Sequence, residues 1–119
     1  MTTAPVDSGE AGRAAVELAS ERQATDTVML DIRQMASFAD YFVISSAQNA
    51  LHMQALIEDL DQGMQRRGVK LHHREGSPQS GWVLMDFGDV IVHLFLPEER
   101  ERYGLERLWQ GAVPVVRMQ

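Results

Sequence analysis

The stretch WVLMDFGDVIVHLFL, Trp82–Leu96, holds two apolar, β-branched runs on either side of Phe87-Gly88. Such runs flanking a glycine-containing pair predict a β-hairpin. With Phe87-Gly88 as a two-residue loop, Asp86 faces Asp89, Met85 faces Val90, Leu84 faces Ile91, Val83 faces Val92 and Trp82 faces His93. Directly opposed residues share a face of the sheet. One face then reads Val83, Met85, Val90 and Val92, wholly aliphatic and expected in the core. The other carries Trp82, Leu84, Asp86, Asp89, Ile91, His93 and Phe95, a mixture of aromatic, imidazole and carboxylate groups. Near a turn, an Asp side chain commonly accepts from the backbone N–H two residues on, which suits Asp86 and Asp89 to turn formation. His93 reads as a core or interfacial histidine bonded to a carbonyl. For Trp82, burial competes with a role as an interface anchor, because Trp is enriched at binding hot spots.

Outward from the hairpin, the helical spacing of Ala11, Ala15, Leu18 and Ala19 predicts an amphipathic helix from Gly9 to about Gln23. TVMLDI, 27–32, alternates as a strand, with Val28, Leu30 and Ile32 on one face. YFVISS, 41–46, is a continuous run of the kind buried on both faces. Met53, Leu56, Ile57, Leu60 and Met64 then form one stripe of a long helix, with Asn49 or Ser46 available as cap and Gly68 as terminator. VKLHHRE, 69–75, reads as a weaker strand, so that strand, helix and strand form a parallel crossover. Pro97 suits the first position of a short acidic helix, and LERLW, 105–109, one more helical turn. The expected fold is therefore α/β, a mixed β-sheet of about five strands with helices packed on it. Residues 1–8 are expected to be a flexible arm, 9–110 a single domain and 111–119 a tail.

With 119 residues and 45% apolar content, the chain can bury an ordinary core without staples, and it has no cysteine to supply any. No apolar run approaches the roughly 18 residues of a membrane span, and MTTAPVDSGE lacks the marks of a secretory signal. A soluble cytoplasmic protein is expected. The net charge of −6 disfavours general nucleic-acid binding. One local exception is RRGVKLHHRE, with Arg66, Arg67, Lys70 and Arg74, which reads as a solvated helix end and exposed strand face before it reads as a binding patch.

Asp86-Phe87-Gly88 is spelled like the magnesium-binding tripeptide of kinases, but no glycine-rich loop or HRD segment accompanies it. GxxxxGK[ST] and GxGxxG are also missing. His72, His73, His93, Glu75, Asp86 and Asp89 show no HExxH or HxxxH spacing, and the adjacent His72 and His73 point to opposite faces of a strand. Ser45 and Ser46, at a strand-to-helix junction, suit capping better than nucleophilic attack. No metal, cofactor or catalytic residue is expected.

ADYFVIS at 39–45, Glu75-Gly76, the hairpin at 82–95 and RYGLERLW at 102–109 together resemble the ribosomal silencing factor family, RsfS or Iojap. The resemblance runs from about residue 10 to about residue 110. It implies a fold like that of nucleotidyltransferases without a working active site. It also implies binding to the large ribosomal subunit through ribosomal protein number fourteen, which blocks joining of the small subunit and represses translation when nutrients are scarce. By motif position, Trp82 matches the family's contact with that protein. Glu75, Gly76, Asp86, Asp89 and His93 match supporting positions, and Asp40, Tyr41, Tyr103 and Trp109 match flanking signatures expected to pack. Ala39, Ala47, Leu51 and His73 depart from the family's usual residues, which weakens any phosphate-like contact from the loop at 46–52. Two other readings stand beside this one. One is a small nucleotidyltransferase-like or metal-dependent phosphoryl transferase using Asp86 and Asp89. The other is a homodimer that buries Trp82 and Phe95.

Overall fold

A computed structural model describes residues 6–119; of the arm expected at 1–8, residues 1–5 lie outside the described residues and Ser8 already opens a helix. That helix, α1 (Ser8–Glu21), is capped by Asp7, whose carboxylate accepts from the Glu10 N–H. Strand β1 (Thr25–Asp31) leads to β2 (Tyr41–Ser46), buried at every position. Helix α2 (Ala50–Arg66) is capped by Asn49, which accepts from the His52 N–H at 2.8 Å. Strand β3 (His73–Ser77) follows, then a short 3-10 turn at Pro78–Ser80, β4 (Trp82–Asp86) and β5 (Val90–Phe95). Two short helices, α3 (Pro97–Tyr103) and α4 (Leu105–Leu108), precede β6 (Val113–Met118).

The strands form one six-stranded mixed sheet in the order β3-β4-β5-β2-β1-β6. Only β2 and β5 run parallel as neighbours. The crossover through α2 therefore does not join adjacent strands: β5 and β4 lie between β2 and β3. The sixth strand corrects the expectation of a tail after residue 110. Val113-Pro114-Val115-Val116 reads poorly as a strand because proline cannot donate to a ladder, but β6 is an edge strand, where proline is tolerated. Strand β3 also ends two residues later than its sequence suggests.

Helices α1 and α2 cover one face of the sheet, over Met29, Val43, Val83, Met85, Val92 and Leu94. Gly63 interrupts α2 at a cost of about 1 kcal/mol in helix propensity. A Cβ there would come within 2.6 Å of Leu18, so its absence lets the two helices close on each other. The opposite face holds Val28, Leu30, Ile32, Phe42, Ile44, Ile91 and Phe95, partly covered by Leu105 and Trp109. Arg100 of α3 donates to Glu106 and to the buried Ser46 hydroxyl, both at 2.8 Å, and fastens this cover to β2. Among the described residues no helix is long and apolar enough to cross a membrane.

The hairpin turns one residue later than its sequence predicts. Phe87 N–H donates to the Val90 carbonyl at 2.9 Å, leaving Gly88-Asp89 as the loop with Gly88 at φ 95°. Glycine at the first loop position is the II′ preference. Phe87, only 5% exposed, is drawn into the helix-side core, which extends the ladder past Asp86. Trp82 consequently opposes Phe95, Leu84 opposes His93 and Asp86 opposes Ile91. Moving the loop by one residue moves each partner by two, so the division of residues between faces survives while the expected Asp86–Asp89 and Trp82–His93 pairs do not.

Candidate functional site

The register lays out rows across the less covered sheet face. Ser77, Trp82 and Phe95 form one; Glu75, Leu84, His93 and Ile44 the next; His73, Asp86, Ile91 and Phe42 the third. Exposure falls along each row: His73 and Glu75 are exposed, Trp82, Leu84 and Asp86 half-buried, and Ile91, His93 and Phe95 buried. The open end is a cleft of about 300 Å³ lined by Glu75, Gly76, Ser80, Trp82, Leu84 and Tyr103.

Trp82 is its floor and is held from three sides. Its ring stacks on Phe95 at 5.0 Å and meets Tyr103 at 4.6 Å. The indole Nε1–H donates to His93 Nδ1 at 3.2 Å. Its backbone is anchored by Ser80, which accepts from the Trp82 N–H and donates to its carbonyl. Such a residue offers a large apolar surface with little conformational freedom left to lose on binding. Glu75 at the rim lies 3.4 Å from His73 and supplies a carboxylate.

His93 is only 3% exposed, which agrees with its reading as a core histidine and leaves little of it for the supporting contact that its motif position implies. Its ring meets Phe42 edge-on at 4.7 Å, and its Nε2 has no hydrogen-bond partner, so the carbonyl bond expected of it is replaced by the indole of Trp82. Because Nδ1 accepts from Trp82, the neutral ring carries its proton on Nε2, and burial lowers the pKa from 6.5 to about 4. Between those values the folded chain binds fewer protons than the unfolded one, so stability is full above the upper value and declines as pH falls toward the lower. His93 should thus contribute a loss of about 2 kcal/mol between about pH 8 and pH 5. Urea unfolding at the two values checks this, and His93→Phe should remove that part of the loss.

The remaining expected site residues separate. Asp86 accepts from the Gly88 N–H at 2.7 Å and serves the turn, as its sequence suggests. Asp89 sits in the loop, where its carbonyl accepts from the Asp40 and Tyr41 N–H groups. The two carboxylates therefore do not oppose each other across the hairpin. Among the described residues no group of three His, Asp or Glu side chains could hold a metal ion. Asp40 accepts from the Ser8 hydroxyl at 2.7 Å, and Tyr41 is buried in the helix-side core under α1. Trp109 packs on Phe42 at 4.8 Å and on Phe38 at 6.0 Å, away from the cleft. Ser45 shares a hydrogen bond with Thr27, while Ser46 accepts from Arg100, so the α2 cap falls to Asn49 alone.

Two cleft residues, Leu84 and Ser80, are not singled out as site residues by the sequence. Leu84 lines the cleft, and its alternation with Trp82 placed it on that face. Ser80 is visible only as half of a capping box with Ser77. Phe38, 59% exposed beside Phe42 and Trp109, lies outside the cleft, in an irregular segment with no pattern to mark it.

Comparison with known proteins agrees with this architecture. A family described as ribosomal silencing factor during starvation matches residues 5–119. A ribosomal silencing factor of Halalkalibacterium halodurans is 35% identical over 105 residues, covering 88% of this chain and 89% of the relative. The Bacillus subtilis protein of the same name is 35% identical over 92 residues, covering 77% and 78%. A crystal structure of a Chromobacterium violaceum protein superposes with a TM-score of 0.84 at 28% identity, covering 88% of each chain.

Proposed function

The chain belongs to the ribosomal silencing factor family, and from that membership we propose that it works by occlusion rather than catalysis. It docks on the large ribosomal subunit through ribosomal protein number fourteen and keeps the small subunit from joining. Translation is thereby damped when nutrients are scarce. The observation that carries this reading is the cleft itself, where a half-buried Trp82 is locked between Phe95, Tyr103 and His93 beside the exposed carboxylate of Glu75.

An apolar, aromatic floor with an acidic rim suits a basic protein surface. The aromatic supplies contact area, and the carboxylate steers encounter and penalises wrong partners. In this division of labour Trp82, Leu84 and Tyr103 make contact, Glu75 pairs with a cation of the partner, and Gly76 and His93 shape the site. Asp86 and Asp89 set the hairpin tip. Tyr41, Asp40 and Trp109 hold the fold, and the site requires neither cofactor nor metal.

Retention on immobilised ribosomal protein number fourteen tests the proposal. The unsubstituted chain should be retained, and Glu75→Lys should weaken retention at least about tenfold by placing like charges together. No retention of the unsubstituted chain would contradict the choice of partner.

A further inference from the structure

We propose that the basic segment from the end of α2 into β3 forms a rim that contacts the phosphate backbone of ribosomal RNA beside the docking cleft. This inference rests on the ribosomal reading above. Residues 66–74 hold four of the chain's eleven Lys and Arg and no acidic residue, in a protein of net charge −6. Arg66, Arg67, Lys70 and Arg74 are all exposed. Among the described residues, Arg66, Lys70 and Arg74 enter no ion pair, and Arg67 only a 4.0 Å approach to Glu17. By contrast, Arg22, Arg33, Arg100 and Arg102 each have a carboxylate partner. Three of the six Lys and Arg that enter no ion pair among the described residues, Arg66, Lys70 and Arg74, thus fall within nine residues, while Arg13, Arg107 and Arg117 are scattered.

Their position in the fold gives the rim its meaning. Strand β3 is the outer strand at the cleft's end of the sheet. Glu75 pairs with Leu84 on the cleft face, whereas Arg74 pairs with Met85 on the opposite face. The edge therefore carries a carboxylate toward the cleft and Arg74 away from it, with Lys70 just before the strand and His72 reaching the hairpin tip at Gly88. A basic protein seated on Glu75 would repel the rim unless an anion lay next to it. Ribosomal RNA, on which ribosomal proteins sit, supplies that anion. Long, exposed Arg and Lys side chains suit phosphate contacts that orient the protein and read no base sequence.

The test compares the full chain with a Lys70→Gln, Arg74→Gln double variant, both positions being exposed and free of structural bonds. Binding to bacterial large subunits is measured by co-sedimentation at about 50 and 200 mM salt. Loss of two phosphate contacts should flatten the slope of log affinity against log salt by about 1.5. The fourfold rise in salt should then cost the unsubstituted chain about eightfold more affinity than the variant. Arg117→Gln, on the opposite edge, should leave the slope unchanged, and binding of the double variant to isolated ribosomal protein number fourteen should be unaltered. Equal slopes for variant and unsubstituted chain would overturn the inference while leaving the docking cleft intact. A matching loss on the isolated protein would overturn the assignment to RNA. Failure of the unsubstituted chain to bind subunits at all would remove the ribosomal reading and this inference together.

Discussion

Trp82→Ala should weaken binding to large ribosomal subunits by at least about 2 kcal/mol, roughly thirtyfold. The substitution removes the floor of the cleft, including the stacking surface shared with Phe95 and Tyr103. It also leaves His93 Nδ1 without its donor, so some stability is lost as well. Two measurements separate these effects. Circular dichroism and thermal unfolding should show a folded chain, since Trp82 is only half-buried and the apolar core on the helix side does not include it. Co-sedimentation should show the loss of affinity. Trp82→Phe makes a finer comparison: it keeps an aromatic floor but deletes the N–H, and should lose less affinity than the alanine variant. Unchanged co-sedimentation of a folded Trp82→Ala chain would remove Trp82 from the contact.

Gly76→Ala should be among the most destabilising single substitutions, at about 3 kcal/mol. Gly76 lies within β3 at φ 87°, a left-handed conformation costly for any residue with a Cβ. An added Cβ would also fall 2.1 Å from the carbonyl oxygen of Trp82. That atom belongs to the neighbouring strand's backbone and cannot swing aside as a side chain would, so the β3–β4 ladder itself must move. Because the displaced residue is Trp82, the substitution should depress partner binding along with stability. Chemical unfolding reads the first effect and retention on ribosomal protein number fourteen the second. Near-unchanged stability would mean that the edge strand yields at little cost. This gives Gly76 a physical role in the site: it contacts nothing by a side chain, yet it allows β3 to lie close enough to bring Glu75 beside Trp82.

Much of the fold follows from alternation. Val28, Leu30 and Ile32 against Met29, and Val83 and Met85 against Trp82 and Leu84, sort to the faces their spacing predicts. The stripe of α2 is buried as its periodicity requires. Strand order was not legible in this way, because nothing local says that β5 inserts beside β2 instead of β3. The turn was misplaced by one residue for a related reason: burial of Phe87 is a tertiary effect, and it prevailed over the local preference for a Phe87-Gly88 loop. Pro114 hid β6, since its cost depends on whether the strand is central or at an edge.

In the candidate cleft, Trp82, Glu75 and Gly76 are the positions that carry family motifs; the β3–β4 register sets them side by side and α3 adds Tyr103. His93 was the least legible. Its position in the hairpin showed which face it occupied, but only the packing of Phe42 and Trp82 around it shows that it holds the indole from beneath.

The most direct test of occlusion is a sucrose gradient of separated bacterial subunits, mixed with saturating chain before magnesium-driven association. The whole-ribosome peak should shrink, the free small-subunit peak should grow, and the chain should co-migrate with large subunits only. Chain with Trp82→Ala should leave the whole-ribosome peak near its untreated height. A whole-ribosome peak undiminished by the saturating, unsubstituted chain would contradict the proposal that this protein keeps the subunits apart.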